Sequence, residues 1–192
     1  MVIQIDSPNS VKAIRELEAK SNVRFKRYDN EDDYIVVYNG GGCSSAVGRQ
    51  GGRQSLSLGK GCDRMATIMH EFTHAMGVMH TQSRPDRDEH IVIHWENIPV
   101  NRWNNFAKVE GNAWTTFDMP YNYMSVMHYS GYGFSTNGEY TIETIDPFYQ
   151  GLRQKHPSAY NIVQFLNRIN FNRTTRINWT EGILHSSRYQ EY

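Results

Sequence analysis

The chain has 192 residues, enough to bury one sizeable core or two small lobes sharing a cleft. Twenty Lys and Arg balance twenty Asp and Glu, so no overall charge points to nucleic acid or an anionic membrane as a partner, and recognition must be local. The longest apolar runs, such as "YIVVY" at 34–38, are far too short to span a bilayer, and the first residues lack the basic start and apolar stretch of a signal peptide. The expectation is a soluble chain without a membrane segment, whose opening "MVIQIDSPNS" marks where a processed or trimmed form begins.

In chain order, "SPNSVKAIRELEAKS" reads as an amphipathic helix. Ser7 can cap it, Pro8 can take the first helical position, and Val11, Ile14 and Leu17 recur on one face. "NVRFKRY" and "DYIVVYNG" follow with strand-like alternation, then a glycine-rich passage, then "QSLSLG" as a further short strand. Asp63 opens a second helix that runs to about Met76. Beyond it the chain is irregular and rich in Tyr, Trp, Asn and Gly as far as residue 150. One more helix is expected at about Ala159 to Asn167, before a polar tail. Cys43 and Cys62 are the only cysteines, and their loop-like flanks lack the CxxC spacing of a thiolate zinc site, which favours a disulfide over two buried thiols. Sequons at Asn172 and Asn178 would be modified only along a eukaryotic secretory route.

The second helix ends in "MHEFTHAMGVMH", residues 69–80. His70 and His74 are four apart and share one helical face, so both imidazoles can reach a single ion, with Glu71 beside them. In a continued helix His80 would lie roughly 9 Å further along the axis than His74 and rotated away. Gly77 removes the conflict, because glycine enters the left-handed conformation without a Cβ penalty and lets the chain turn back. Three neutral imidazoles with an open fourth position are the ligand set of catalytic zinc, whereas structural zinc is usually closed by four protein ligands. Met69, Phe72, Met76 and Val78 fit core packing, and the other histidines, at 90, 94, 128, 156 and 185, fit ordinary surface or packing roles.

HExxHxxGxxH followed by a later Met-turn is the metzincin signature, and "SVMHY" at 125–129 supplies the candidate Met-turn. With "HTQSRPDRDEHIVIHWENI" from the third histidine and "SSAVGRQGGRQSLSLGKGC" before the helix, the sequence resembles the astacin family of secreted metzincin endopeptidases over roughly residues 1–170. The resemblance implies an α+β, two-lobed catalytic domain over 1–171. Its N-terminal lobe, about 1–80, would carry a twisted mixed sheet and long helices. Its C-terminal lobe, about 81–171, would be mostly irregular with one helix, leaving 172–192 as a tail. It makes His70, His74 and His80 the ligands of one zinc ion per chain and Glu71 the general base. It makes Met127 the Met-turn residue beneath the metal, and Tyr129 the phenol that ligates zinc at rest and swings to the transition state. Cys43 and Cys62 match one family disulfide, and a short edge strand at Ser44, Ser45 and Ala46 matches the one that pairs with extended substrate. Implied too are a protein or peptide substrate, a propeptide in the precursor and a secreted, extracellular location.

The sequence departs from the family pattern in three places. The second family disulfide is absent, since Asn22 stands where its first cysteine falls. Thr81 replaces the glutamate that helps bind the mature N-terminus, and the stretch that begins the first lobe is short or missing. Two positions beyond Tyr129, where a Lys or Arg would favour an acidic residue after the scissile bond, stands Gly131, so a neutral or apolar preference is expected unless Arg153 reaches the pocket. Two rival functions are a catalytically silent zinc-containing binding protein, which has no need of Glu71, and a zinc hydrolase of non-peptide amides or esters, which has no need of the edge strand.

Overall fold

The computed structural model describes residues 1–4, 8–110 and 115–152. The chain divides into two compact units, of which the described residues run within 1–78 and 79–152.

The first unit contains β1 (Val2–Gln4), α1 (Pro8–Lys20), β2 (Lys26–Arg27), β3 (Tyr34–Tyr38), β4 (Cys43–Ser45), β5 (Arg53–Leu58) and α2 (Met65–Ala75). The strands form one mixed sheet in the order β2-β1-β3-β5-β4. β1 runs parallel to both β2 and β3, and α1 provides the crossover that a parallel β1–β2 pair demands. β3 and β5 pair in parallel, whereas β4 is antiparallel to β5 and lies at the end of the sheet, with Ser44 opposite Ser57. Ala13, Ile14 and Leu17 bury one face of α1 at helical spacing, while Ile3, Ile35 and Leu56 from the strands and Ile68 and Phe72 from α2 are buried in the core with them. Phe25 meets Phe72 edge to face at 5.5 Å.

The second unit has little regular structure. A two-stranded antiparallel sheet of β6 (Ile91–Ile93) and β7 (Ile142–Thr144) places Val92 opposite Glu143, and α3 (Pro147–Leu152) follows. Single turns of 3-10 helix occupy Thr81–Ser83, Arg87–Glu89 and Trp95–Asn97, and a longer run spans Val100–Phe106. Its core gathers Ile91, Ile98, Phe106, Tyr121, Phe134 and Ile142, with Tyr129 packed against them.

The mixed sheet with helices, followed by a largely irregular unit, is the α+β architecture expected from sequence. Some boundaries differ. α2 begins at Met65, because Arg64 is extended (φ −73°, ψ 137°), and Asp63 therefore lies outside the helix. β4 covers Cys43–Ser45, which leaves Ala46 just past the strand, where the chain leaves the register it shares with β5. "NVRFKRY" contributes only two strand residues, and β1, β6, β7 and α3 are elements that the periodicity of such short runs does not announce. The expected cap at Ser7, the helix at 159–167, His156, His185, Arg153 and the tail with its two sequons lie outside the described residues.

Cys43 and Cys62 form a disulfide, with Cα atoms 5.7 Å apart. No helix among the described residues is long and apolar enough to cross a membrane.

Candidate metal centre

Every residue of α2 from Ile68 to Ala75 is buried. The helix thus carries His70, Glu71 and His74 inward, at 8%, 1% and 5% exposure. The rings of His70 and His74 lie edge to face with centroids 4.5 Å apart, as a spacing of four on one helical face requires.

The helix ends in a Schellman turn. The amide of Gly77 donates to the carbonyl of His74 at 2.8 Å, and that of Val78 donates to Thr73 at 3.2 Å, with Gly77 at φ +96°. A side chain at 77 would be strained in this conformation, so glycine is what allows the reversal. The turn also fixes a ligand. His74 Nδ1 lies 2.8 Å from the carbonyl oxygen of Val78, which only accepts, so Nδ1 carries the proton and Nε2 presents the lone pair. His80 follows in extended conformation (φ −62°, ψ 140°), 3% exposed.

One ligand atom from each of His70, His74 and His80 lies within 4.8 Å of the other two. Three buried imidazoles, one of them oriented by a backbone carbonyl, suit zinc, which favours nitrogen and sulfur donors and in catalytic sites takes three protein ligands. The donor set fits the metal, and the triad is positioned to bind one ion.

Around His80, the amide of Thr81 donates to the carbonyl of Met127 at 2.8 Å, and the amide of Tyr129 donates to Oε1 of Gln82 at 3.1 Å. These two bonds lay the segment 127–129 alongside 80–82. Met127 is 1% exposed. The Tyr129 ring sits 4.6 Å from that of His80 and is flanked by Phe106 and Phe134 at 5.5 and 5.4 Å. Arg87, itself buried, donates to the carbonyls of Gln82, at 2.9 Å, and of Phe106. Gln82 and Arg87 lie within "HTQSRPDRDEHIVIHWENI", and the sequence by itself assigns them no role. The backbone atoms they reach stand 5 to 47 positions away, which no local pattern reveals, although Arg87 also donates to its neighbour Asp88.

The edge strand is tied to the metal helix within the first unit. After β4 the amide of Gly48 donates to the same His74 carbonyl, at 2.8 Å. The buried side chain of Gln54 donates to Gly48 O at 3.0 Å and accepts from Gln50 N at 3.1 Å. Asp33 accepts from Arg49 and from Gly52 N, and the Arg49 guanidinium beside it holds its carboxyl below the usual aspartate range. Ser44 and Ser45 are half-buried in β4.

Of the other described histidines, His90 stacks on Tyr121 with centroids 4.4 Å apart and His128 Nε2 lies 2.8 Å from the Tyr121 hydroxyl. His94 lies between Glu96 and Glu143. None belongs to the metal triad, in keeping with packing and surface roles. The space beside Gly131 is filled: a Cβ there would meet Tyr140 at 3.1 Å and Gln150 Nε2 at 3.2 Å.

The family model of astacin, a family of peptidases, matches residues 4–169. Zinc metalloproteinase nas-38 of Caenorhabditis elegans is 47% identical over 116 residues, which are 60% of this chain and 16% of that protein. The beta subunit of meprin A from Mus musculus is 38% identical over 173 residues, 88% of this chain and 24% of the subunit. Among solved structures, high choriolytic enzyme 1, a hatching enzyme zinc-protease from Oryzias latipes, matches with a TM-score of 0.76 at 34% identity, over 88% of each chain. The chain spans about a quarter or less of the length of these two curated relatives. With its three-histidine centre, its mixed sheet and a family match over most of its length, the chain belongs to the astacin family of zinc peptidases.

Proposed function

We propose that the chain is a zinc-dependent endopeptidase that hydrolyses internal peptide bonds of extended polypeptides, with residues 1–171 as its catalytic domain. The observation that carries this reading is the buried helix α2, which holds Glu71 between two members of the metal triad, His70 and His74.

In this reading His70, His74 and His80 hold the zinc. When bound, the ion acts as a Lewis acid toward a carbonyl oxygen and lowers the pKa of a water to about 7. Glu71 is the general base: its carboxylate accepts a proton from the attacking water and passes it to the leaving amine. The Tyr129 hydroxyl donates a hydrogen bond to the oxyanion that develops on the scissile carbonyl. Substrate adds to the sheet along β4, at Ser44 and Ser45, with Ala46 beyond the strand end. Backbone pairing at a sheet edge accepts many side chains, which suits an endopeptidase. Gly131 brings no cation to the subsite just after the scissile bond, so neutral or apolar side chains are preferred there.

The disulfide Cys43–Cys62 fits an oxidising compartment, and secretion with a propeptide in the precursor completes the reading. A catalytically silent zinc protein would have no use for Glu71 at 1% exposure beside the triad.

Cleavage of a peptide library before and after chelation tests the proposal. Activity is lost with the metal and returns with zinc. Full activity of the metal-free protein would overturn it.

A further inference from the structure

We propose that Gln82 is a positioning residue for Tyr129, holding the backbone of that tyrosine beside His80 so that the phenol reaches its working position; the inference rests on the endopeptidase reading above.

Gln82 is 0% exposed, and Oε1 of its side chain accepts the Tyr129 amide at 3.1 Å. The bond to a backbone donor also sets the orientation of the amide, since the opposite one would bring two donors together. The main chain of Gln82 is held in turn, because the buried Arg87 guanidinium donates to its carbonyl at 2.9 Å and to that of Phe106. One residue earlier, the Thr81 amide donates to Met127 O at 2.8 Å. The segment 127–129 is therefore pinned twice to the run that leaves the third metal ligand, once by backbone and once by the Gln82 side chain. The backbone pin ends at Met127 and the Gln82 pin at Tyr129.

The phenol sits at the far end of a long side chain, so a small backbone rotation at 129 swings it widely. A misplacement of about 1 Å can cost about 100-fold in rate. Phe106 and Phe134 confine the ring by packing, and hydrophobic contact is far less directional than a hydrogen bond, so they guide its plane without setting its height. A glutamine acting through the phenol should lose its influence once the phenol is gone. A glutamine that merely stabilises the fold should matter equally with or without it.

That contrast defines the experiment, a double-mutant cycle of Gln82→Met and Tyr129→Phe in the full chain loaded with zinc. Each variant is assayed on one extended peptide, with zinc content and thermal midpoint measured alongside. Gln82→Met is expected to lower kcat about 10-fold with KM within about 2-fold, and the double variant to match Tyr129→Phe within about 2-fold. If Gln82→Met fails to fold, Gln82→Asn, which withdraws the acceptor by one methylene, takes its place in the cycle. An inactive zinc-loaded wild type would speak against the endopeptidase reading itself. An active wild type whose two losses simply multiply would overturn the role of Gln82.

Discussion

The two units place their side chains by different means. In the first, regular backbone does the work: the period of α2 sets His70 and His74 on one face, and strand register sets Ser44 opposite Ser57. In the second, side chains reach across to backbone atoms. Arg84 donates to Met119 O and Pro120 O, Arg87 to Gln82 O and Phe106 O, Asn97 to Tyr140 O, and Gln150 to Ile142 O. A unit with little helix or strand still has to satisfy its buried carbonyls, and long polar side chains supply the donors that a ladder would otherwise provide. A substitution in the first unit can therefore remove chemistry and leave structure intact, whereas in the second one buried side chain can be both.

Glu71→Gln is the sharpest case of the first kind. The carboxamide keeps the shape of the side chain but cannot accept the proton, so turnover should fall by at least about 1000-fold while zinc content and thermal midpoint stay near those of the parent. Metal analysis beside an assay at saturating peptide checks both halves. Wild-type turnover would remove Glu71 as the base, and loss of zinc would make it a structural residue like those of the second unit.

Arg87→Ala is the counterpart. It removes a buried cation and leaves the carbonyls of Gln82 and Phe106 without their donor, at a cost of about 3–4 kcal/mol. For a chain of this size that lowers the thermal midpoint by about 10 °C, and activity should fall with it, since Gln82 and the 3-10 turn after His80 lose their anchor. A midpoint within about 2 °C of the parent would mean that side-chain anchoring is not what holds this unit.

The same contrast explains what could be read from the sequence. His70, His74 and the turn at Gly77 were legible because helical geometry converts spacing into position, and the Schellman bonds of Gly77 and Val78 are local. The two main strands and the disulfide were legible from alternation and from there being only two cysteines. Strands of two or three residues such as β1, β6 and β7 have no period to detect, and α2 started late because Arg64 stays extended although Asp63 is a good capping residue. Gln82 was invisible in its role, since its partner stands 47 residues on and a glutamine two positions past a metal ligand carries no signal by itself.

Within the first unit, Cys43–Cys62 measures how far regular structure sustains itself. The bond closes a loop of 19 positions that holds β4 and β5, so Cys43→Ser with Cys62→Ser should cost about 3 kcal/mol in the chain-entropy picture. Because β4 also keeps its ladder with β5 and the loop after it is held by Gln54 and by the His74 carbonyl, the variant should fold, bind zinc and keep its kcat. Its KM for extended peptides is the quantity to watch, since β4 is the strand on which substrate is proposed to pair. A collapse of kcat would show that the bridge, and not the ladder, positions the site.

The smallest effect belongs to acid. The Arg84 guanidinium, bonded to both oxygens of Asp86 at 2.9 and 2.7 Å, holds that carboxyl below the usual aspartate range. A folded value below the unfolded one means that the stabilisation is fully present above the ordinary aspartate pKa, about 3.9, and disappears as pH falls through the folded value. The pair is partly exposed, so its worth is below about 1 kcal/mol. Arg84 moreover keeps its bonds to Met119 O and Pro120 O after Asp86 is protonated, so the anchoring of the second unit should outlast the ion pair. Metal ligands also protonate in acid and release zinc, which would obscure so small a change in a single melting curve. The difference in midpoint between the parent and Asp86→Asn cancels that loss. It should be small and positive at pH 7 and vanish as pH falls through the folded value of Asp86, below the usual aspartate range. A gap that stays constant across this range would assign the role of Asp86 to neutral hydrogen bonding, and would leave Arg84 as a donor to carbonyls whose charge matters little.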